Sequence, residues 1–184
     1  GFEWQAAAHM IWESYDQPDL LEKGLAVARA IHDRYDGRLR NPYNEIECSD
    51  HYARAMASYG VLLAACGFEY HGPKGYIGFA PRLRPEDFKA PFTAAEGWGT
   101  FAQKREGQRQ SCTIDVRYGR LRLNSIALTV AEGATAHQTL LNGQARPFRQ
   151  RGQQVILDLD VPMVIQANEK ATVELTLDER KSAV

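Results

Sequence analysis

The sequence predicts an α+β chain: helices over residues 1–67, a Pro/Gly-rich aromatic connector over 68–111, and an antiparallel β appendage over 112–184. Three observations carry this reading. In the first third, apolar residues recur at three- and four-residue spacing, the period of a helix face. From Cys112 onward they alternate with polar residues, the period of a strand. Between the two lie Gly72-Pro73-Lys74-Gly75, Pro81, Pro85 and Pro91, breakers interleaved with Phe79, Phe88, Phe92, Trp98 and Phe101. That aromatic content predicts a connector packed tightly on its neighbours.

Phe2 to Tyr15 carries Ala6, Ala7, Ala8, Met10, Ile11 and Trp12, apolar around most of a helix circumference. The second helix starts at Asp16-Gln17-Pro18, because Asp accepts from free backbone N–H groups and Pro fits the first turn. Leu21, Leu25, Ala28, Ile31 and Tyr35 line one side of it; Glu22, Lys23, Arg29 and Asp33 line the other, and Asp36-Gly37 stops it. A third helix is capped by Ser49 or Asp50, runs to Ala65 and ends on Gly67 in the left-handed position. Tyr52, Met56, Tyr59, Leu63 and Cys66 predict its packed stripe. Ala53, Ala57, Ser58, Gly60 and Ala64 form a second face small enough to admit a close neighbour. Half-exposed helices alternating with buried ones suit an inner helical layer wrapped by an outer one. Beyond Cys112, roughly six short strands are expected: Ile114/Val116/Tyr118, Leu121/Leu123 after a Gly119-Arg120 turn, Ile126/Leu128/Val130, Val155/Leu157/Leu159 and Val173/Leu175/Leu177, with Asn142-Gly143 as a hairpin signal.

Composition excludes several classes. Twenty-two Lys+Arg oppose 23 Asp+Glu for a net charge of -1 over 184 residues. That balance gives no electrostatic footprint for nucleic acid or an anionic membrane. No apolar run reaches the roughly 18 residues of a membrane span. Cys48, Cys66 and Cys112 are odd in number and lack a CxxC pairing, so they read as free thiols and favour a cytoplasmic setting. Gly1 opens almost directly into an apolar helical run, and the chain is therefore expected to be the carboxy-terminal piece of a longer one.

Chemistry concentrates in one place. Asn44 to Arg54 reads Asn-Glu-Ile-Glu-Cys-Ser-Asp-His-Tyr-Ala-Arg, and from Ala55 to Ala65 no further charge follows. A guanidinium at the head of so apolar a helix needs an anion or hydroxyl partner. Glu45 and Arg54 together would hold hydroxyls of a small polar ligand by charge-assisted hydrogen bonds, or else form an ion pair that fastens the helix to its preceding loop. Asp50 suits the helix dipole; Glu47 alternates with Glu45 along an extended segment. Glu45, Glu47 and His51 match no established metal-ligand spacing. The remaining histidines, His9, His32, His71 and His137, are scattered. Tyr43, Tyr76 and Trp98 are candidates to stack on a sugar, with packing as the alternative. A glycosidase carboxyl pair sits about 5 Å apart in retaining enzymes; Glu45 and Glu47 on opposite faces would not make one.

Four stretches carry a resemblance: Gly-Phe-Glu-Trp-Gln-Ala-Ala-Ala-His-Met-Ile-Trp-Glu at 1–13, Asn-Pro-Tyr-Asn-Glu-Ile-Glu-Cys-Ser-Asp-His-Tyr-Ala-Arg-Ala at 41–55, Gly-Phe-Ala-Pro-Arg at 78–82, and Phe-Thr-Ala-Ala-Glu-Gly-Trp-Gly at 92–99. In order and content they resemble glycoside hydrolase family 116, the family of bile acid β-glucosidase (non-lysosomal glucosylceramidase) and of bacterial β-glucosidases and β-xylosidases. The resemblance implies closing helices of an (α/α)6 barrel over 1–67, followed by the connector and the antiparallel β appendage. It implies a retaining mechanism whose glutamate nucleophile and aspartate acid/base lie upstream, so that this chain holds no catalytic residue. Glu45 and Arg54, nine residues apart, match the pair that holds distal sugar hydroxyls. The Asn-Glu-Ile-Glu-Cys form departs from that of the animal glucosylceramidases and leaves the sugar and aglycone open. The implied partners are a β-linked glycoside and the remainder of the same polypeptide. No cofactor, no metal, no nucleic acid and no membrane insertion are expected. The competing class is a non-catalytic carbohydrate-binding or assembly module working through its strands; a third is an inactive scaffold.

Overall fold

The structure, a computed structural model, describes residues 1–39, 41 and 54–178, with the side chains of Arg54 and Ala55 outside that description. The chain divides into two compact units, Gly1–Gly67 and Phe68–Val184.

Among its described residues the first unit holds three short helices, α1 (Phe2–Glu13), α2 (Asp19–Arg34) and α3 (Tyr59–Cys66), with one 3₁₀ turn at Arg54–Ser58. The periodicity of α2 holds: Ile31 is buried, Leu21, Leu25, Ala28 and Tyr35 are half-buried, and the charged side is exposed. Helices α1 and α2 meet at Gly24, where a Cβ would lie 2.7 Å from Ile11 Cγ1 and 2.9 Å from the Ala7 carbonyl oxygen. Ala7 and Ile11 are fully buried there. Helix α3 ends on Gly67 at φ 53°, as its sequence predicts. Its packing differs from the expected stripe. Of that stripe Cys66 is buried, but Met56 is 78 % exposed and Tyr59 42 %, while Ala64 of the small side and the adjoining Ala65 are buried. The small side won because it allows close approach: a Cβ on Gly60 would touch Ala8 of α1 at 3.5 Å.

The second unit overturns the predicted architecture. Strands dominate the chain, and three helices of 12, 16 and 8 residues do not close an (α/α)6 barrel. Nor is the β part an antiparallel appendage that starts at 112. Among the described residues ten strands form one mixed sheet: β1 (Glu69–His71), β2 (Tyr76–Phe79), β3 (Asp87–Ala94), β4 (Gly97–Glu106), β5 (Arg109–Thr129), β6 (Ala136–Leu141), β7 (Gln144–Ala145), β8 (Arg149–Arg151), β9 (Gln154–Gln166) and β10 (Lys170–Leu177). Four of them lie in the stretch read as a connector. The prolines that suggested a connector sit where strands tolerate them. Pro73 lies in a 3₁₀ turn, Pro81 and Pro85 fall between β2 and β3, and Pro91 lies on β3, an edge strand paired only to β4.

The 21-residue strand β5 organises the unit. Its first half pairs antiparallel with β4 and β10; its second half pairs antiparallel with β9 and parallel with β2. The expected Gly119-Arg120 turn does not reverse the chain. Gly119, at φ 69°, instead accompanies a bulge that shifts the register and lets the strand continue. The two halves enclose a single core that includes Phe79, Phe92, Phe101, Ile114, Leu123, Leu128, Leu157 and Val173. Asn142 and Gly143, both at positive φ, make the predicted hairpin between β6 and β7.

A buried polar network sits against this core. Gln110 Nε2 donates to Gln103 Oε1 at 3.1 Å and to the Thr129 carbonyl at 3.1 Å, and Gln103 Nε2 donates to the Pro85 carbonyl at 2.7 Å. Arg105 Nε donates to Gln110 Oε1 at 2.8 Å. These bonds tie β4 to β5 and satisfy polar groups that water does not reach. Cys112 lies within the network, and burial pushes its thiol up to about 12. Burial pushes Cys66 up to about 11. Because the thiolate is the reactive form, native chain treated with Ellman's reagent at pH 8 is expected to leave Cys66 and Cys112 unmodified until denaturant is added. Peptide mapping that finds either labelled within minutes would show that its core opens readily.

Candidate functional site

Glu45, with Tyr43, Glu47, Asp50 and His51, lies outside the described residues. Arg54 opens the 3₁₀ turn that leads into α3, and its side chain is likewise outside the description. The structure therefore brings neither Glu45 nor Arg54 into a described site. The other candidates are resolved. Tyr76 is half-buried and donates to Glu69 Oε2 at 3.1 Å; burial foremost, then the Glu69 carboxylate, pushes its hydroxyl up to about 12. His71 Nδ1 accepts from the Lys74 backbone N–H at 3.3 Å, and His137 contacts Asp178 at 2.5 Å. Among the described residues no three of His, Cys, Asp and Glu gather to hold a metal ion, and no helix is long and apolar enough to cross a membrane.

Trp98 is different. It is 51 % exposed, and beside it on β5 Tyr118 is 66 % exposed. The two are cross-strand partners, with ring centroids 6.3 Å apart and planes 18° from parallel. Large aromatics left in water in adjoining positions call for a reason. Local sequence explains how they come to be there. Along β5, Ile114 and Val116 point inward, and strict alternation would send Tyr118 after them. The bulge prevents this: Trp98 pairs with Tyr118 but Gly99 pairs with Val116, which leaves Arg117 as the extra residue. Beyond it the parity is reversed, Tyr118 faces outward, and Leu121 and Leu123 resume the core. Glycine alone permits the close backbone approach. A Cβ at Gly99 would lie 2.1 Å from the Asp115 carbonyl oxygen, and one at Gly119 2.0 Å from that of Glu96.

Charges frame the aromatic pair. Arg120 donates to Glu96 Oε1 through Nε at 3.0 Å and Nη2 at 2.6 Å, and Arg122 Nε donates to Glu96 Oε2 at 2.8 Å. The Arg120 hydrogen bond foremost, opposed by desolvation and aided by Arg122, holds the Glu96 carboxyl below its ordinary range. Asp115 pairs with Arg117 at 2.8 Å. On the same strands, toward the other end, a polar cleft of about 400 Å³ is lined by Lys104, Glu106, Arg109, Ser111, Glu174 and Gln138, among others. The sequence signal for this surface was Gly97-Trp98-Gly99 with Gly119, glycines flanking an aromatic; the alternation of Ile114, Val116 and Tyr118 pointed the other way.

No protein-family profile matches the chain, and no curated protein matches it. Among solved structures, it is similar to α-L-rhamnosidase from Dictyoglumus thermophilum (11 % identity, TM-score 0.39, 65 % of this chain and 14 % of that one). It is similar also to α-L-fucosidase isoenzyme 2 from Paenibacillus thiaminolyticus (14 % identity, TM-score 0.36, 70 % and 19 %). A third is a two-domain M1 zinc metallopeptidase bound to L-arginine (20 % identity, TM-score 0.30, 43 % and 16 %). Glycosidases are thus among the structural neighbours at low identity. The chain spans between 14 % and 19 % of the length of these three.

Proposed function

We propose that this chain belongs to a retaining β-glycosidase acting on a β-linked glucoside or xyloside, and that it supplies groups that hold the sugar and not those that break the bond. The reading rests on the segment 41–55, whose motif resembles that of glycoside hydrolase family 116 and sets Glu45 nine residues ahead of Arg54. The physical support is the context of Arg54. Its 3₁₀ turn runs straight into α3, a helix with no charged residue, so a hydroxyl-rich or anionic partner is what its guanidinium needs. A carboxylate and a guanidinium acting together serve hydroxyls well, since one accepts and the other donates. Hydrogen bonds that strengthen as the ring flattens toward an oxocarbenium-like state lower the barrier instead of merely tightening substrate binding. No cofactor enters this chemistry.

Two results test the proposal. In the parent polypeptide, Glu45→Ala and Arg54→Ala are each expected to lower kcat/KM on an aryl β-glucoside or β-xyloside by about 10- to 100-fold, the worth of one charge-assisted hydrogen bond. The 184-residue chain alone is expected to be inert toward the same substrates. Turnover by the isolated chain above a Glu45→Ala control would defeat the assignment of nucleophile and acid/base to another segment.

A further inference from the structure

The geometry points to a second carbohydrate-binding surface, on the outward face of β4, β5 and β10, for a neutral oligosaccharide that stacks one ring at Trp98 and Tyr118 and extends toward Lys104 and Glu174. Glu45 and Arg54 play no part in it, so it holds whether or not they bind a sugar.

The face has two ends and a floor. At one end stands the aromatic pair, flanked by the Glu96–Arg120–Arg122 cluster. At the other lies the cleft of about 400 Å³ with Lys104, Ser111 and Glu174. These three are in lateral register, Lys104 opposite Ser111 and Ser111 opposite Glu174. Between the ends Thr100 and Ala102 on β4, Thr113 on β5 and Thr172 on β10 are small and half-buried, and the Asp115–Arg117 ion pair with Lys170 opposite it stands nearer the rings. From Trp98 to Lys104 is six residues of extended strand, roughly 20 Å. The result is an outward strip long enough for several sugar rings in line.

Three features select a neutral polyhydroxylated ligand over other occupants. First, a pyranose presents an apolar, C–H-bearing face, and the electron-rich face of an exposed aromatic complements it. Second, the charges beside the rings are already paired, Glu96 with two arginines and Asp115 with Arg117. The cleft adds two of each sign, Lys104 and Arg109 against Glu106 and Glu174. The named groups leave a small positive excess, Arg117, Arg120 and Arg122 against Glu96 and Asp115, a weak attraction for a polyanion, whereas hydroxyls, which both donate and accept, match closely spaced donors and acceptors of either kind. Third, the aromatic pair is placed by the same backbone features that return Leu121 and Leu123 to the core. The bulge at Arg117 and the glycines at 97, 99 and 119 together turn Tyr118 away from the core and toward solvent beside Trp98.

Isothermal titration of the full chain with cellohexaose and with xylohexaose tests this. At least one hexasaccharide is expected to bind saturably, and cellobiose or xylobiose more weakly, because a disaccharide cannot reach from the rings to the cleft. Trp98→Ala is expected to weaken hexasaccharide binding about tenfold or more, with Tyr118→Ala as a second variant in case the first disturbs the sheet; Arg151→Ala, at an exposed position on β8, should leave it unchanged. Absence of binding by both hexasaccharides would overturn the proposal and leave this face as a packing surface for protein. Binding that survives both aromatic variants, or that is lost in Arg54→Ala alone, would equally overturn it while leaving the Glu45/Arg54 reading intact.

Discussion

Gly119→Ala is expected to destabilise the sheet unit by about 2–5 kcal/mol, measured as the shift in urea midpoint followed by far-UV circular dichroism. Two terms add. Gly119 sits at φ 69°, where a Cβ costs roughly 1–2 kcal/mol through its clash with the local backbone. The new Cβ would also lie 2.0 Å from the Glu96 carbonyl oxygen and 2.9 Å from the Gly97 Cα. Both are backbone atoms that no rotamer change can move aside, and overpacking of this kind costs about 1–3 kcal/mol. The carbonyl concerned accepts from the Arg120 N–H at 3.0 Å, so relief by displacement would weaken a bond that holds the bulge. Gly107→Ala separates the two terms. Gly107 has φ 56° but nothing within 4 Å of its Cβ position, so that variant should lose only the conformational term, about 1 kcal/mol. Equal losses at both positions would mean that the close approach at Gly119 is not what the bulge requires.

What the sequence revealed and what it hid follow from the range of the interactions. Helix α2 was legible because its three- and four-residue spacing needs no knowledge of a partner. Gly67 and the Asn142-Gly143 turn were legible for the same reason, since a positive φ is a local demand. The strands at 69–106 were not, because prolines and glycines spaced through them resemble a connector until the edge position of β3 and the bulge in β4–β5 are known. Only pairing between distant segments settles that. Nor could alternation reveal that β5 continues through Gly119, or that one extra residue sends Tyr118 outward after Val116 has gone inward. The three-helix unit misled in another way. A run of apolar residues shows that a helix is buried somewhere, but the side it buries depends on its neighbour. Here closeness to α1 favoured Ala64 and Gly60 over Met56 and Tyr59. As for the site, Trp98 was legible as a stacking candidate, while its partner Tyr118 and the nearby Glu96–Arg120–Arg122 cluster emerge only once β4 and β5 are laid side by side.

The largest expected loss by side-chain truncation is at Phe101, three residues along β4 from Trp98 and on the opposite face. Phe101 is fully buried and stacks on Phe79 with centroids 3.8 Å apart and planes 3° from parallel. Phe88 lies 6.3 Å away, and Phe79 in turn contacts Phe68 at 5.3 Å and Phe92 at 5.9 Å. Removing the ring withdraws its transfer free energy and opens a cavity that rigid aromatic neighbours cannot close, so Phe101→Ala should cost about 3–5 kcal/mol. Phe101→Leu keeps most of the volume and should cost roughly 1.5 kcal/mol or less. Trp98→Ala, at a half-exposed position with Thr93 and Tyr118 as its cross-strand neighbours, should cost no more than about 1 kcal/mol. The ordering matters more than any single value. If β4 alternates as described, the two aromatics of this strand have divided their tasks, Phe101 holding the halves of the sheet together and Trp98 facing outward for a ligand. Urea denaturation of the three variants would then rank Phe101→Ala far below the others, while only Trp98→Ala would lose the oligosaccharide. A Trp98→Ala chain as unstable as Phe101→Ala would show instead that Trp98 is part of the structural core, and that its exposed ring face is incidental to its role.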